Sequence, residues 1–252
     1  MLIAEHLAKN YGQIEAVRDV SLSAAEGEIL GILGPNGAGK TTTFKMIVGL
    51  LEPSAGRVLI GGHDLAREPV KAKRLFGFIP DRPYLYEKLT AWEFLEFLAG
   101  IRHLEEGWRN RGEQLLDTMG LHHAANRLIE SYSHGMKQRL TYVAALLHRP
   151  KLLIVDEPMV GLDPAGAVLV RELFRNFAID GGTLIVSTHT LEVAQVLCHR
   201  IAIIIDGRVE RSGTMEELRA MSGVETGTLE DIFLELAGGG EMQDVIAALR
   251  SA

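Results

Sequence analysis

One short segment of the sequence has the residue types and the spacing that phosphate chemistry requires. GPNGAGKTT, at residues 34–42, contains a glycine, four further residues, a second glycine, a lysine and a threonine. Such a loop wraps its backbone N–H groups around a polyphosphate, with Lys40 reaching the β- and γ-phosphates and the Thr41 hydroxyl binding Mg²⁺. The predicted ATP-binding residues of this loop are Gly34, Pro35, Asn36, Gly37, Ala38, Gly39, Lys40, Thr41 and Thr42.

A second segment, LLIVDEP at residues 152–158, ends an apolar run with two carboxylates. Asp156 can bind Mg²⁺ through the water shell that this ion prefers to keep, and Glu157 can polarise an attacking water. Two acids after a strand more often form a solvated strand end. Their occurrence beside a phosphate loop makes both candidate site residues.

A third segment, STH at residues 187–189, follows another apolar run. His189 would then lie at the sheet edge where open α/β sheets place their ligands. A histidine here, taken alone, is more often structural. Together with the other two segments, it favours a contact with the γ-phosphate or with the attacking water.

The elements that must position these residues alternate between apolar strands and helical patterns. Short strands are expected over residues 1–28, a helix over about 40–51, and mostly helical structure over about 91–150. Such alternation is typical of a mostly parallel sheet covered by helices. Further strands are predicted at EILGIL (28–33), LLIVD (152–156), TLIVST (183–188) and RIAIII (200–205).

Composition narrows the range of partners. The chain has 252 residues, 47% of them hydrophobic, and a net charge of −7 without a block of basic residues, so no nucleic-acid partner is expected. Cys198 is the only cysteine, which favours a reduced, cytosolic setting. The first ten residues mix an acid and a base, unlike a secretory signal. No apolar run approaches about 18 residues, so another chain would have to supply any membrane spans.

A fourth segment indicates which phosphate-loop family is involved. YSHGMKQRL, at residues 132–140, resembles the signature motif of ATP-binding cassette (ABC) proteins, a loop centred on Ser133 and Gly135 that leads into a helix. The order of segments also resembles the family: phosphate loop, signature, acidic strand end, GLDP (161–164), then His189. The commonest form of the signature has Leu, Gly and Gln where this sequence has Tyr132, His134 and Met136.

The resemblance extends from Tyr11 to about Gly213 and implies an α/β fold. The expected architecture is a phosphate-loop NTPase sheet core with an antiparallel β subdomain and a helical subdomain at about 85–150. A single ABC ATPase domain would span residues 1–252, with a C-terminal tail at about 214–252.

The resemblance also implies roles for residues outside the loop. Tyr11 resembles the aromatic residue that stacks on adenine; the less favoured alternative is an aromatic residue of a β-strand in the small sheet. In a head-to-tail dimer, Ser133 and Gly135 would close over the ATP held by the other subunit. Asp163 resembles the acid that helps to connect the two nucleotide sites.

Asp81, in FIPDRPYLY at residues 78–86, stands where most members of this family have glutamine. The residue at this position usually reaches Mg²⁺ or the attacking water, and its loop touches the membrane partner. Asp81 is therefore a candidate catalytic and metal-binding residue. The alternative is an ordinary turn, because an aspartate after Pro80 can bond nearby backbone N–H groups.

The implied function is ATP hydrolysis, with Mg²⁺, by the nucleotide-binding subunit of an ABC transporter. Its partners would be a separate transmembrane permease subunit and a second ATP-binding subunit, identical or different, at the inner face of the cell membrane. The segment YLYEKLTAWEFLEF resembles subunits that serve exporters.

Three alternatives come from other classes of protein. A soluble ABC ATPase acting on ribosomes or nucleic acid would usually carry two cassettes or a long coiled-coil insertion. A small-molecule kinase would have no signature motif, and its activity would not depend on Ser133. A nucleotide-gated regulator would not need an intact Glu157 and His189.

Four features outside the motifs have structural interpretations. His122 and His123 are expected in a solvated loop, because no further ligands accompany them, and Cys198 is expected in the core on a helix face. The pair at 206–207 predicts a hairpin turn, and Thr214 with Glu217 predicts a capping box.

Overall fold

The computed structural model describes residues 1–159, 162–222 and 228–236, with side chains for all of these except 234–236. Gly161 and parts of the predicted C-terminal tail lie outside the described residues. Within them, a ten-stranded sheet forms the centre of the molecule. Its strands are β1 (Leu2–Tyr11), β2 (Ile14–Ala24), β3 (Ile29–Leu33), β4 (Ala55–Ile60), β5 (His63–Asp64), β6 (Phe76–Ile79), β7 (Leu152–Asp156), β8 (Thr183–Thr188), β9 (Arg200–Ile205) and β10 (Arg208–Gly213).

The strand order is β5-β4-β1-β2-β10-β9-β3-β8-β7-β6. Strands β9, β3, β8, β7 and β6 pair in parallel, and every residue of β3, β7 and β8 is buried. Continuous apolar runs of this kind are typical of a sheet with both faces covered, which confirms the strands predicted from the apolar segments. In β7, Leu153 and Val155 pack into one hydrophobic cluster, whereas Leu152 and Ile154 pack into another on the opposite face.

The other half of the sheet is antiparallel. Strand β1 pairs with β2 and β4, and β4 pairs with β5. This half joins the parallel half where β2 meets β10, at the pair Asp19 and Arg208. The predicted hairpin between β9 and β10 is confirmed: Asp206 and Gly207 have φ values of 48° and 74°, as its turn requires.

Helices cover the sheet and extend beyond it. The first helix ends at Ile47 rather than near residue 51, so its predicted length was wrong. Gly49 adopts a φ of 68°, and the N–H groups of Leu50 and Leu51 both turn back to the Lys45 carbonyl, which ends the helix as a glycine C-cap does. The helices are α1 (Lys40–Ile47), α2 (Pro69–Arg74), α3 (Ala91–Arg102), α4 (Trp108–Thr118), α5 (His134–Leu146), α6 (Pro164–Ile179), α7 (Leu191–Leu197), α8 (Met215–Ser222) and α9 (Leu229–Leu236).

Helices α3, α4 and α5 form the helical region between β6 and β7, and they share one hydrophobic cluster with a face of the parallel strands. His122 and His123 lie there in a short 3-10 helix, not the loop expected, although both are exposed as predicted. The chain makes this turn because the N–H groups of Ala124 and Ala125 bond to carbonyls three residues earlier.

Two further structural predictions concern the pair Thr214 and Glu217 and the single cysteine, Cys198. The capping box is confirmed, because Thr214 N–H donates to Glu217 Oε2 at 2.8 Å and Glu217 N–H donates to Thr214 Oγ1 at 3.2 Å. Cys198 caps α7 instead of lying within it. Its thiol packs against Gly31 of the central strand, and burial raises its pKa to about 12, which agrees with a core role.

Candidate active site

Four strands of the parallel half end at the same edge of the sheet. The phosphate loop (34–42) follows β3, Asp81 lies just beyond β6, Asp156 ends β7, and His189 directly follows β8. Parallel strands point their carboxyl ends in one direction, so residues far apart in sequence meet here. The topology thus assembles one site from four separate segments.

The phosphate loop depends on close approaches between backbone segments. Gly39 has a φ of 100°, and a Cβ added to it would lie 2.7 Å from the Ala16 carbonyl oxygen. A Cβ added to Gly34 would collide with the Ile204 carbonyl of the neighbouring strand. Glycine is therefore required at both positions if the loop is to fold against the strands beside it.

Lys40 lies inside the loop, with only 7% of its surface exposed. Its Nζ donates to the carbonyl oxygens of Gly34 at 2.6 Å and Pro35 at 3.0 Å. Burial lowers the pKa of Lys40, while the negative charges of Glu157 and Asp156 oppose this change. The ammonium group is thus held by the loop's own carbonyls, at the place where the phosphates of a nucleotide would offer stronger acceptors.

Ser187 connects the two acids that end β7. Its hydroxyl donates to Asp156 Oδ1, and it accepts from the Glu157 N–H at 3.1 Å. Burial raises the pKa of Asp156, and the negative charges of Asp81 and Glu157 raise it further, while the Ser187 hydrogen bond and Lys40 lower it. Sequence reasoning missed this serine, although it pairs with Asp156 in the parallel register of β7 and β8.

The side chains of Glu157 and His189 are in direct contact at this site. His189 Nδ1 lies 2.9 Å from Glu157 Oε2, and the Glu157 side chain is only 18% exposed. The Glu157 backbone has a φ of 51°, a left-handed conformation that costs a non-glycine residue about 1–3 kcal/mol. Hydrogen bonds from its N–H to the Ser187 hydroxyl and carbonyl hold it there. Strain of this kind persists where the surroundings fix a functional side chain.

Lys40, Glu157 and His189 line a cavity of about 360 Å³. Its size suits part of a nucleotide, since small-molecule sites enclose roughly 300–1,000 Å³. Ala16, from β2, is a lining residue that the sequence motifs did not indicate. The lining residues are Ala16, Asn36, Gly37, Gly39, Lys40, Thr41, Thr42, Asp81, Glu157 and His189.

Seven predicted site residues are not among the described residues that line this cavity. Four of them belong to the phosphate loop or to the end of β7: Gly34, Pro35, Ala38 and Asp156. The other three, Tyr11, Ser133 and Gly135, come from other segments. Tyr11 ends β1 and is 49% exposed, with Lys9 Nζ 5.8 Å from the centre of its ring. Ser133 caps the N-terminus of α5, where its Oγ accepts from the Met136 N–H at 3.2 Å, and Gly135 lies in the first turn of that helix. Ser133 and Gly135 are thus on a different part of the chain's surface.

The oxygen atoms near the cavity suit Mg²⁺. Thr41, Asp81 and Asp156 together line an adjoining groove of about 740 Å³, and the first two line the cavity as well. Hydroxyl and carboxylate oxygens are ligands that Mg²⁺ accepts. The described residues include no group of three or more His, Cys, Asp or Glu arranged to hold a metal. Mg²⁺ needs no such cage, because it usually binds one or two carboxylates together with substrate phosphates.

Comparisons with known proteins agree with this fold and site. The family model for ABC transporters matches residues 17–160, more than half of the chain. The linearmycin resistance ATP-binding protein LnrL of Bacillus subtilis (strain 168) is 38% identical over 254 residues, covering 100% of this chain and 79% of that protein.

Two solved structures extend the likeness. The structure of an ATP-binding subunit of an ABC transporter has a TM-score of 0.89 and 35% identity, covering 94% of this chain and 99% of that one. The dimeric, post-hydrolysis structure of the ATP-binding cassette MJ0796 with ADP and Pi has a TM-score of 0.78 and 30% identity, covering 85% and 99%.

The chain belongs to the ABC transporter family. It is an ATP-binding subunit that hydrolyses ATP to drive transport, so the family, activity and phosphate-loop NTPase fold predicted from the sequence are confirmed. ABC ATPases work with transmembrane subunits and form dimers. In the part of the chain that the structure describes, no helix is both long and apolar enough to cross a membrane.

Proposed function

We propose that the cavity at the carboxyl ends of the parallel strands, called the strand edge below, is one half of a composite ATPase site in an exporter. The observation that supports this most strongly is that three strands end at the same side of the sheet. They bring together Lys40, Asp156, Glu157 and His189. All of these residues belong to what we take to be a single ABC ATPase domain over residues 1–252.

Glu157 is the proposed general base. Its carboxylate faces the cavity and is held by His189, so it is placed to take a proton from a water attacking the γ-phosphate. Lys40 would exchange the loop carbonyls for phosphate oxygens and offset the charge that develops on them. Thr41, Asp156 and Asp81 would hold Mg²⁺, which supplies positive charge at the phosphates.

Asp81 adds a negative charge to this region. Burial is the main cause of the raised pKa of Asp156, and the charge of Asp81 raises that pKa further. We infer that an acid here strengthens the dependence of the closed site on its cation, since a carboxylate near the γ-phosphate is unfavourable unless the cation offsets it. Tyr11 is the proposed adenine contact, because its ring is half exposed at the end of β1.

The second half of the site would come from another subunit. Ser133 and Gly135 lie at the exposed start of α5, where a hydroxyl and the N-terminal end of a 13-residue helix suit an anion. They do not line this chain's own cavity, which supports a head-to-tail dimer in which they close over the partner's ATP. Asp163, whose Oδ1 caps α6 by accepting from Gly166 N–H at 2.8 Å, would lie near that junction.

The membrane partner and the direction of transport are inferred from resemblance. The chain is 38% identical to a linearmycin resistance protein, and its segment at 84–97 resembles exporter subunits. We propose a separate transmembrane permease subunit, a position at the inner face of the cell membrane, and transport outward. No nucleic-acid partner is proposed, given the net charge of −7.

Export can be tested with the chain and the membrane protein that co-purifies with it. Inside-out vesicles containing both would be supplied with ATP and a panel of amphiphilic antibiotics, and accumulation in the lumen would be measured. We expect ATP-dependent accumulation of at least one compound, and none with the Glu157→Gln variant. Co-purification of ribosomes or RNA instead of a membrane protein would contradict the proposal.

A further inference from the structure

A short segment after Asp81 is bonded directly to the segment that precedes Ser133. Ile129 N–H donates to the Leu89 carbonyl at 2.9 Å, and Glu130 N–H donates to the Glu87 carbonyl at 2.9 Å. An antiparallel bridge between residues 90 and 128 continues this contact. Residues 87–90 and 128–130 therefore move as one unit as long as these bonds persist.

An ion pair extends the contact into helix α5. Lys137 Nζ lies 2.5 Å from Glu87 Oε1, and the Lys137 side chain is only 20% exposed. The Lys137 N–H donates to the Ser133 carbonyl at 2.9 Å, so the lysine belongs to the helical turn that Ser133 caps. Displacing this turn displaces Ser133 with it.

Helix electrostatics alone do not explain the lysine. Lys137 lies near the N-terminus of α5, where the helix dipole disfavours a cation, and the first turn contains no acidic residue. The carboxylate of Glu87 offsets this cost from outside the helix. The Lys137 side of the pair is mostly buried, whereas the Glu87 carboxylate is about half exposed.

We propose that Glu87 and Lys137 are positioning residues that couple the Asp81 segment to the Ser133 loop. Glu87 follows Asp81 by six positions, and Lys137 follows Ser133 by four, so the ion pair joins the two segments near their functional ends. A shift at one segment is then carried to the other. The inference rests on the proposed role of Ser133 at a second subunit's ATP.

The test uses the full-length chain and separates positioning from folding. Glu87→Gln, Lys137→Met and the exchanged pair Glu87→Lys with Lys137→Glu would be compared for kcat and KM of ATP hydrolysis and for Tm. We expect each single variant to lower kcat roughly threefold to tenfold, with KM for ATP unchanged, because the phosphate loop is untouched. The exchanged pair should recover at least half of the wild-type kcat.

A matched control is the ion pair between Arg109 and Glu96, which joins α4 to α3 at 2.7 Å but touches neither segment. Arg109→Met and Glu96→Gln should leave kcat unchanged. Single variants of Glu87 and Lys137 with wild-type kcat, or an exchanged pair no better than either of them, would overturn the proposal.

The Ser133→Arg variant tests the proposed function on which this inference rests. If that variant hydrolyses ATP at the wild-type rate, the proposed role of the Ser133 loop is wrong, and so is the proposed coupling. If Ser133→Arg is inactive while the Glu87 and Lys137 variants behave as wild type, only the coupling is wrong.

Discussion

The strand edge and the helical region of this protein present their functional residues in opposite ways. At the strand edge, Glu157 is paired with His189 and anchored by Ser187, and Lys40 is buried in its loop. In the helical region, Ser133 lies exposed at the start of α5, and among the described residues its hydrogen bonds lie within its own helical turn. Both regions nevertheless contain sequence motifs of the ABC family.

The difference agrees with the proposed composite site, in which a second subunit supplies the Ser133 loop. Parallel strand ends converge within one chain, so half of the site is built as the sheet forms. Ser133, which caps α5, does not line that cavity. A signature motif that does not line its own chain's cavity is what the proposed composite site predicts.

The largest expected effect concerns the strand edge. Glu157→Gln should lower ATP hydrolysis about 10²–10⁴-fold, because the general base is lost, while ATP binding persists. An ATP-stabilised dimer should accumulate, measurable by light scattering. Glu172→Gln, on the exposed face of α6, is the control and should be unchanged. Hydrolysis at the wild-type rate in Glu157→Gln would mean that another group is the base.

Ser133→Arg should reduce hydrolysis roughly 10²-fold, because it obstructs the donors that the helical region would bring to the γ-phosphate. ATP affinity of the monomer should be unaltered, as measured by isothermal titration calorimetry. Mixing Ser133→Arg with Lys40→Ala should restore part of the activity, since one complete site then forms per mixed dimer. Ser212→Arg on β10 is the control. If the Ser133→Arg monomer bound ATP more weakly than wild type, Ser133 would act in its own chain's site. The proposed difference between the two regions would then be wrong.

Ser187→Ala should lower hydrolysis about tenfold, as loss of an outer partner of a metal ligand does. The Ser187 hydrogen bond lowers the pKa of Asp156, so its removal raises that pKa further. The acidic limb of the rate profile should therefore shift to higher pH. Thr183→Ala, at the other end of the same strand, removes a buried hydroxyl and should leave that limb in place. Identical pH profiles for Ser187→Ala and wild type would contradict this role.

The smallest expected effect concerns Asp81, which lines both the cavity and the groove. Asp81→Ala should lower hydrolysis while sparing ATP binding, and Asp81→Gln should stay active with a lower Mg²⁺ requirement. The measurement is hydrolysis rate against Mg²⁺ concentration for wild type, Asp81→Ala, Asp81→Gln and Asp81→Asn. Four superimposable curves would leave Asp81 as a turn residue beside Pro80.

The sequence by itself determined the local elements and the motif chemistry. Apolar runs such as 183–188 identified buried strands, and the phosphate loop combined glycines with a lysine and a threonine at a spacing that few other functions require. These signals are local, because each is a pattern of residue types over a few neighbouring positions in the chain. The C-terminus of α1 was misjudged, because Gly49, which ends the helix as a C-cap glycine, was taken as part of the helix.

Only the tertiary structure decided which residues touch. Register across parallel strands placed Ser187 opposite Asp156, and the fold of the antiparallel half brought Ala16 to the cavity. The ion pair between Glu87 and Lys137 spans 50 positions and has no pattern that a sequence window would reveal. Such contacts depend on strand order and helix packing, which are properties of the whole chain, whereas propensity and periodicity act over a few residues at a time.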